Sequence, residues 1–321
     1  MKRRQFLKDA TLLTNAVALF GIVQNVPPQP CPVTLLAMPD YSRDLSREIA
    51  AVMSGDGLQL KGKKVLLKPN FVEAHPERPI NTHIAVIAGA AHACLRLGAA
   101  EVIVGEASGH RRDPWFSVLN PSLRVILDKK VRCVDLNHGD AAAVANRGGR
   151  TGLPAFYVAQ PVVEADVLIS LPKMKTHHWM GVTLSLKNLF GVLPGIYYGW
   201  PKNLLHFKGI ANSILDLAGT VPVHYAIVDS VVAMEGDGPI MGKAKPVGVL
   251  VLSRFPLAAD ATAARLMGFD PQRIPYLLQA GRFLPGLKQE TVVIRGEKPA
   301  RYATQFDCPE EFKEMRGGPF F

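Results

Sequence analysis

The sequence predicts an α/β protein built on a mostly parallel, doubly wound sheet flanked by helices. Short apolar runs alternate along the chain with longer segments of helical periodicity, and strands that alternate with helices pair in parallel through crossovers. Several of these runs stop abruptly, at Pro69, at Pro172 and at Gly105-Glu106. Strand ends of that kind are where open α/β sheets collect their ligands.

Residues 33–38 form a first strand by apolar content, and residues 42–52 a helix, with a serine start and Leu45, Ile49 and Val52 on one face. Residues 64–68 (KVLLK) are a second strand closed by Pro69-Asn70. Thr82 is placed to cap a helix over residues 83–97, with Gly98 as its stop. Residues 101–105 and 131–136 are the third and fourth strands. Residues 166–171 form a strand that ends at Pro172, residues 181–190 a short helix stopped by Gly191, and residues 204–218 a longer helix. Residues 224–234 and 247–252 are β runs, residues 256–267 an Ala-rich helix stopped by Gly268, and residues 290–294 a last strand. No internal repeat or Ser/Gly linker appears. Residues 31–300 therefore read as one α/β domain, with the loop 147–152 as the point where two lobes would divide, and residues 301–321 as an irregular polar tail.

Of 321 residues, 48% are hydrophobic and 20% charged, an ordinary globular balance that argues against long disordered stretches. The formal charge is +10, of which residues 1–30 supply +3. The surplus favours anionic partners. It does not favour nucleic acid, because the basic residues are scattered and no nucleic-acid-binding motif accompanies them.

Residues 1–30 read as a targeting segment. Arg3-Arg4-Gln5-Phe6-Leu7-Lys8 follows the twin-arginine export pattern, and the apolar stretch after it, residues 10–23, is short and contains Thr11, Thr14 and Asn15. That is too short and polar for a membrane span. The expected partner during export is the twin-arginine translocase, and the expected location periplasmic or otherwise extracytoplasmic. An uncleaved signal would leave the protein tethered to the membrane. Substrates of this route cross the membrane folded, which raises the expectation of a bound cofactor without naming it.

The cofactor itself is unknown from sequence. Cys31, Cys94, Cys133 and Cys308 contain no C-x-x-C pair, so no local iron–sulfur or four-cysteine zinc motif is visible. The segment Glu235-Gly236-Asp237-Gly238-Pro239-Ile240-Met241-Gly242 is neither a dinucleotide fingerprint nor a P-loop. Its two acids, joined by Asp229 and Asp260, could hold a divalent metal or a substrate amine.

Four stretches carry a resemblance. They are residues 65–72 (VLLKPNFV) with Asn81-Thr82; Gly105-Glu106; residues 171–178 (LPKMKTHH), running through Gly181-Val182-Thr183 to residues 187–191 (KNLFG); and Val228-Asp229-Ser230 with residues 234–239 (MEGDGP) and Gly242. Together they resemble the domain-of-unknown-function 362 family over about residues 33–294. The resemblance implies a fold and a site position and leaves the chemistry open. Some relatives carry a ferredoxin-like module with clustered cysteines. This chain lacks that cluster, so an iron–sulfur function does not carry over.

The candidate site follows from strand ends. Lys68 and Asn70 leave the second strand, and Thr82 opens a helix whose N–H groups can receive an anion. Glu106 leaves the third strand, beside the basic loop 109–112. If residues 173–177 stay extended, Lys173, Lys175 and His177 project to one side, where clustering lowers their pKa values. Thr183 and Lys187, with Asn188, continue that stretch, and His206 is the natural partner for His177. The leading expectation is an exported enzyme acting on a small anionic substrate. Lys173, Lys175, His177 and Glu106 are the catalytic candidates; Lys68, Asn70, Thr82, Thr183, Lys187, Asn188 and His206 bind substrate; Asp229, Glu235 and Asp237 are the metal candidates. The rivals are a non-catalytic binding or maturation protein for a metal or anionic cofactor, and a redox partner of an iron–sulfur system.

Overall fold

The computed structural model describes residues 29–73, 75, 77–109 and 130–321. The twin-arginine segment through residue 28, and residues 110–112 of the basic loop, lie outside them. In chain order the described elements are β1 (Cys31–Ala37), α1 (Ser46–Gly55), β2 (Lys64–Pro69), α2 (Ile84–Arg96), β3 (Glu101–Glu106), β4 (Val131–Asp135), β5 (Ala141–Ala145), β6 (Ala155–Ala159), α3 (Gln160–Glu164), β7 (Val167–Leu171), β8 (Lys173–His177) and β9 (Gly181–Thr183). They continue through α4 (Ser185–Asn188), a 3-10 turn (Leu189–Val192), α5 (Gly195–Tyr198), α6 (Asn203–Phe207), α7 (Ile210–Thr220), β10 (Tyr225–Glu235), β11 (Lys243–Ser253), α8 (Pro256–Leu266), α9 (Pro275–Ala280) and β12 (Val292–Gly296).

A ten-stranded sheet runs β12-β1-β11-β10-β7-β2-β3-β4, with β8 and β9 attached through β10. The stretch from β10 through β7, β2 and β3 to β4 is parallel throughout. β11 runs antiparallel to both its neighbours. Alternation along the strands sends side chains to two cores. Val65, Leu67, Val102 and Val104 pack against Ile49 and Met53 of α1 and Val86 and Ala90 of α2. Leu66, Ile103 and Leu168 face the other way, toward Ile214 and Leu217 of α7 and Leu257 and Ala263 of α8. Strands buried on both faces read as unbroken apolar runs, which is why these were visible in sequence. Full burial of each such side chain stabilises by about 1.5–3 kcal/mol.

The structure departs from the sequence reading at several places. Residues 181–190 are not one helix: Gly181, at φ +77°, starts β9, which pairs antiparallel with β8. A helix begins only at Ser185, where the buried Asp260 carboxylate accepts the N–H groups of Ser185 (2.7 Å) and Leu186 (2.9 Å). Thr82 is not the cap of α2. His83 is, its Nδ1 accepting from Ala85 N. Thr82 Oγ1 instead donates to Leu171 O (2.6 Å) and accepts from Asn70 N (2.9 Å), tying the exit of β2 to that of β7. The helix expected over residues 204–218 breaks into α6 and α7 at Gly209, at φ +88°, a backbone conformation that favours glycine. Between β4 and β7 a hairpin of β5 and β6 appears that periodicity did not reveal. Its connecting loop is pinned by Asp216 of α7, whose oxygens accept from Arg150 N, Thr151 N and Asn146 Nδ2. The C-terminal tail is mostly irregular but packs: Phe306 is fully buried, and Arg316 bridges to Phe269.

Candidate functional site

β2, β3 and β7 run in parallel and end at one edge of the sheet. A cleft of about 200 Å³ opens there. Its lining comes from the β2 exit (Lys68, Asn70), the β3 exit (Glu106), β8 and β9 (Lys175, His177, Thr183), α4 (Lys187, Asn188), α6 (His206) and the loop tip Pro239-Ile240. Nine of the expected site residues thus converge from well-separated parts of the chain.

Lys68 and Glu106 form a buried ion pair, Nζ to Oε2 at 2.5 Å. Lys68 also donates to Pro69 O (2.5 Å) and Asn188 Oδ1 (3.1 Å), and Glu106 accepts from Phe71 N (3.0 Å). Burial lowers the Lys68 pKa and raises that of Glu106, and each partner opposes the other's shift. The pair requires Gly191. A Cβ there would collide with Glu106 Oε1 and come within 2.5 Å of Lys68 Nζ.

Lys173 is answered differently. It turns from the cleft to Asp229 (2.9 Å) and Tyr41 (2.8 Å). Asp229 also accepts from His83 N and Tyr41 Oη. Its lone pairs are used within the fold, so Lys173 and Asp229 form a structural pair beside the site.

Lys175 and Lys187 have no such answer. Lys175 is fully buried and donates to the neutral Ile80 O (2.7 Å). Burial, reinforced by Lys187 and Lys173, drives its pKa well below the usual lysine value. Lys187 stands over the Phe190 ring at 5.2 Å, and burial lowers its pKa to about 8. No ion pair involves either lysine among the described residues.

His177 is buried, and its Nδ1 accepts from Trp179 N (3.1 Å). Burial first, then Lys187 and His178, hold its pKa well below the ordinary histidine value. His206 Nδ1 sits 3.0 Å from Lys202 O, and burial lowers its pKa as well. Trp179 lies between them, its ring edge-on to His206 at 5.4 Å. Asn70 Oδ1 and Thr183 Oγ1, both in the cleft lining, are buried polar atoms with no hydrogen-bond partner among the described residues. Buried polar atoms are nearly always satisfied, so these two mark where a polar ligand would be held.

The three metal candidates do not converge. Asp229 is committed to Lys173, Glu235 to Lys245 (3.0 Å) and Asp307 N (3.1 Å), and Asp237 lies 3.4 Å from His178 at the exposed loop. Among the described residues no three His, Cys, Asp or Glu side chains are grouped to hold a metal ion. The expectation that these acids form one metal set is corrected on that ground: each answers a different local cation or donor.

Lys202 and Trp179 line the cleft but were not identified from sequence, and Gly191, read there as a helix stop and motif residue, lines it too. Lys202 adopts φ +70° and donates to Asn137 Oδ1 (2.9 Å). The Gly199-Trp200-Pro201 run before it was the available signal, since such runs mark sharp turns.

Residues 65–265 match the family described as domain of unknown function, DUF362. A thylakoid-associated protein of Synechocystis sp. is 30% identical over 241 residues, 71% of either chain. The lactate racemase apoprotein of Thermoanaerobacterium thermosaccharolyticum superposes with a TM-score of 0.44 at 12% identity, over 75% of this chain. This chain spans 57% of that protein's length. The family match covers more than half of the chain, so it belongs to the DUF362 family.

Proposed function

We propose that the cleft binds a small anionic ligand and that the protein is an enzyme acting on it. The observation that carries this is the contrast among its lysines. Lys68 has Glu106, whereas Lys175 and Lys187 converge on a cleft where, among the described residues, neither has a carboxylate partner. A buried ammonium without a counter-charge costs several kcal/mol, and an anion removes that cost. Asn70 and Thr183 supply polar contacts, and His177 and His206, both neutral near pH 7, can accept or donate a proton.

The test is thermal melting with a panel of anions, phosphate and small carboxylates among them. Binding to the folded state alone adds RT ln(1 + [L]/Kd), about 2.7 kcal/mol at a hundredfold excess over Kd. Lys187→Ala is expected to abolish that gain and to leave the apo protein as stable or more so. The gain should also fade as pH rises through about 8, where Lys187 loses its charge. A wild type indifferent to every anion refutes the reading.

We further propose that the protein is exported by the twin-arginine route. Arg3-Arg4 followed by Phe6-Leu7-Lys8 supports this. The thylakoid association of the cyanobacterial relative agrees with a location at or beyond a membrane.

A further inference from the structure

We infer that the ligand of this cleft is a hydroxycarboxylate, its hydroxyl donating to His206 and a second oxygen accepting from His177. The inference rests on the anion-site reading and adds a polarity to it. That polarity comes from the backbone contacts of the two imidazoles. A neutral imidazole carries one N–H and one lone pair, and the contact made by one nitrogen decides the role of the other.

At His177 the Nδ1 atom faces a backbone N–H, that of Trp179, at 3.1 Å. Nδ1 must therefore present its lone pair, and the ring proton sits on Nε2. At His206 the Nδ1 atom faces a backbone carbonyl, that of Lys202, at 3.0 Å. A carbonyl only accepts, so Nδ1 carries the proton and Nε2 the lone pair. The two rings thus have opposite tautomers. Among the described residues no hydrogen bond reaches either Nε2 atom, and both residues line the same cleft. Burial first, and Lys187 after it, opposes protonation of both rings, so the neutral forms prevail around neutral pH.

A ligand meeting all of these groups needs negative charge for Lys175 and Lys187, an acceptor for His177 Nε2–H and a donor for His206 Nε2. A simple carboxylate supplies the first two and leaves the His206 lone pair unanswered. A hydroxyl beside the carboxylate answers it. Inorganic phosphate near neutral pH keeps an O–H and so also brings a donor, which makes it the rival ligand that the test must separate from a hydroxycarboxylate.

Two measurements test this on the full chain. The first is 15N NMR of histidine-labelled protein near pH 7, which reads the tautomers directly. Nδ1 of His177 and Nε2 of His206 are expected to show the shift of an unprotonated nitrogen. The same tautomer at both rings, or an imidazolium at either, overturns the inference. The second compares matched acids that differ by one hydroxyl, glycolate with acetate and malate with succinate, with phosphate as a further arm. In the wild type the hydroxy acid is expected to bind about five- to tenfold more tightly, the worth of one hydrogen bond. His206→Phe, which keeps a ring against Trp179, is expected to erase that preference while keeping the response to anions. Equal affinities within each wild-type pair, or phosphate bound more tightly than either hydroxy acid, overturn the hydroxycarboxylate assignment and leave the anion site standing. Binding of none of these anions removes the anion site, and this inference with it.

Discussion

Lys68 and Lys187 line the same cleft and are expected to respond in opposite ways to substitution. Lys68 is neutralised by Glu106 in a space closed to water. Glu106→Gln leaves that ammonium buried without its counter-charge, a loss of about 3–5 kcal/mol, which urea denaturation would measure. Adding Lys68→Met to Glu106→Gln should recover most of the loss, because the uncompensated charge goes with it. A single Glu106→Gln variant as stable as the wild type would show that the pair contributes nothing. Gly191→Ala probes the same point by volume. Its methyl has nowhere to go but into the pair, and such overpacking costs about 1–3 kcal/mol. Among the described residues Lys187 has no carboxylate to strand, so its removal is expected to cost the apo protein nothing.

At the scale of the element, the short helix α4 carries Lys187 and Asn188 into the cleft, and its first turn is held by one carboxylate. Asp260 of α8 accepts the N–H groups of Ser185 and Leu186. Burial outweighs those two hydrogen bonds and raises its pKa to about 7. The folded-state pKa lies above the unfolded value of about 3.9, so the folded protein keeps a proton that the unfolded chain has released. The stabilisation from Asp260 is therefore complete below about pH 4 and lost as pH rises through about 7. Three units correspond to about 4 kcal/mol. Asp260→Asn is expected to remove this component, so the stability gap between variant and wild type should shift in the variant's favour from pH 4.5 to pH 8. Denaturant titrations at those two pH values check it, and parallel profiles for the two proteins would count against the assignment. The sequence offered no sign of this arrangement, since Asp260 lies about 75 residues from the helix it holds.

At the scale of the whole molecule, export is the first prediction. Replacing Arg3 and Arg4 by lysine should leave the protein in the cytoplasm, read by fractionation of cells expressing both forms. Unchanged extracytoplasmic recovery would dispose of the twin-arginine reading. Among the described residues no helix is long and apolar enough to cross a membrane, so tethering, if observed, would be sought in the segment before residue 29.

What the sequence determined by itself is what depends on neighbours along the chain. The β2, β3 and β7 runs were legible because a strand buried on both faces must be apolar at every position. The site edge was legible because Lys68, Asn70 and Glu106 directly follow such runs. The tertiary structure alone decided which charges answer one another. Lys173, Lys175 and Lys187 look alike in sequence, yet among the described residues only Lys173 of the three meets a carboxylate, because β8 pairs with β10 and sets Lys173 opposite Asp229. The same cause undid the helix expected over residues 181–190, whose first residues find a partner strand in β8. It also scattered Asp229, Glu235 and Asp237, which are close in sequence and bound to different partners. Local pattern reports how a segment prefers to fold. The partner of a buried charge is set by strand pairing and by contacts across 38 to 120 residues, and no window of sequence contains both ends.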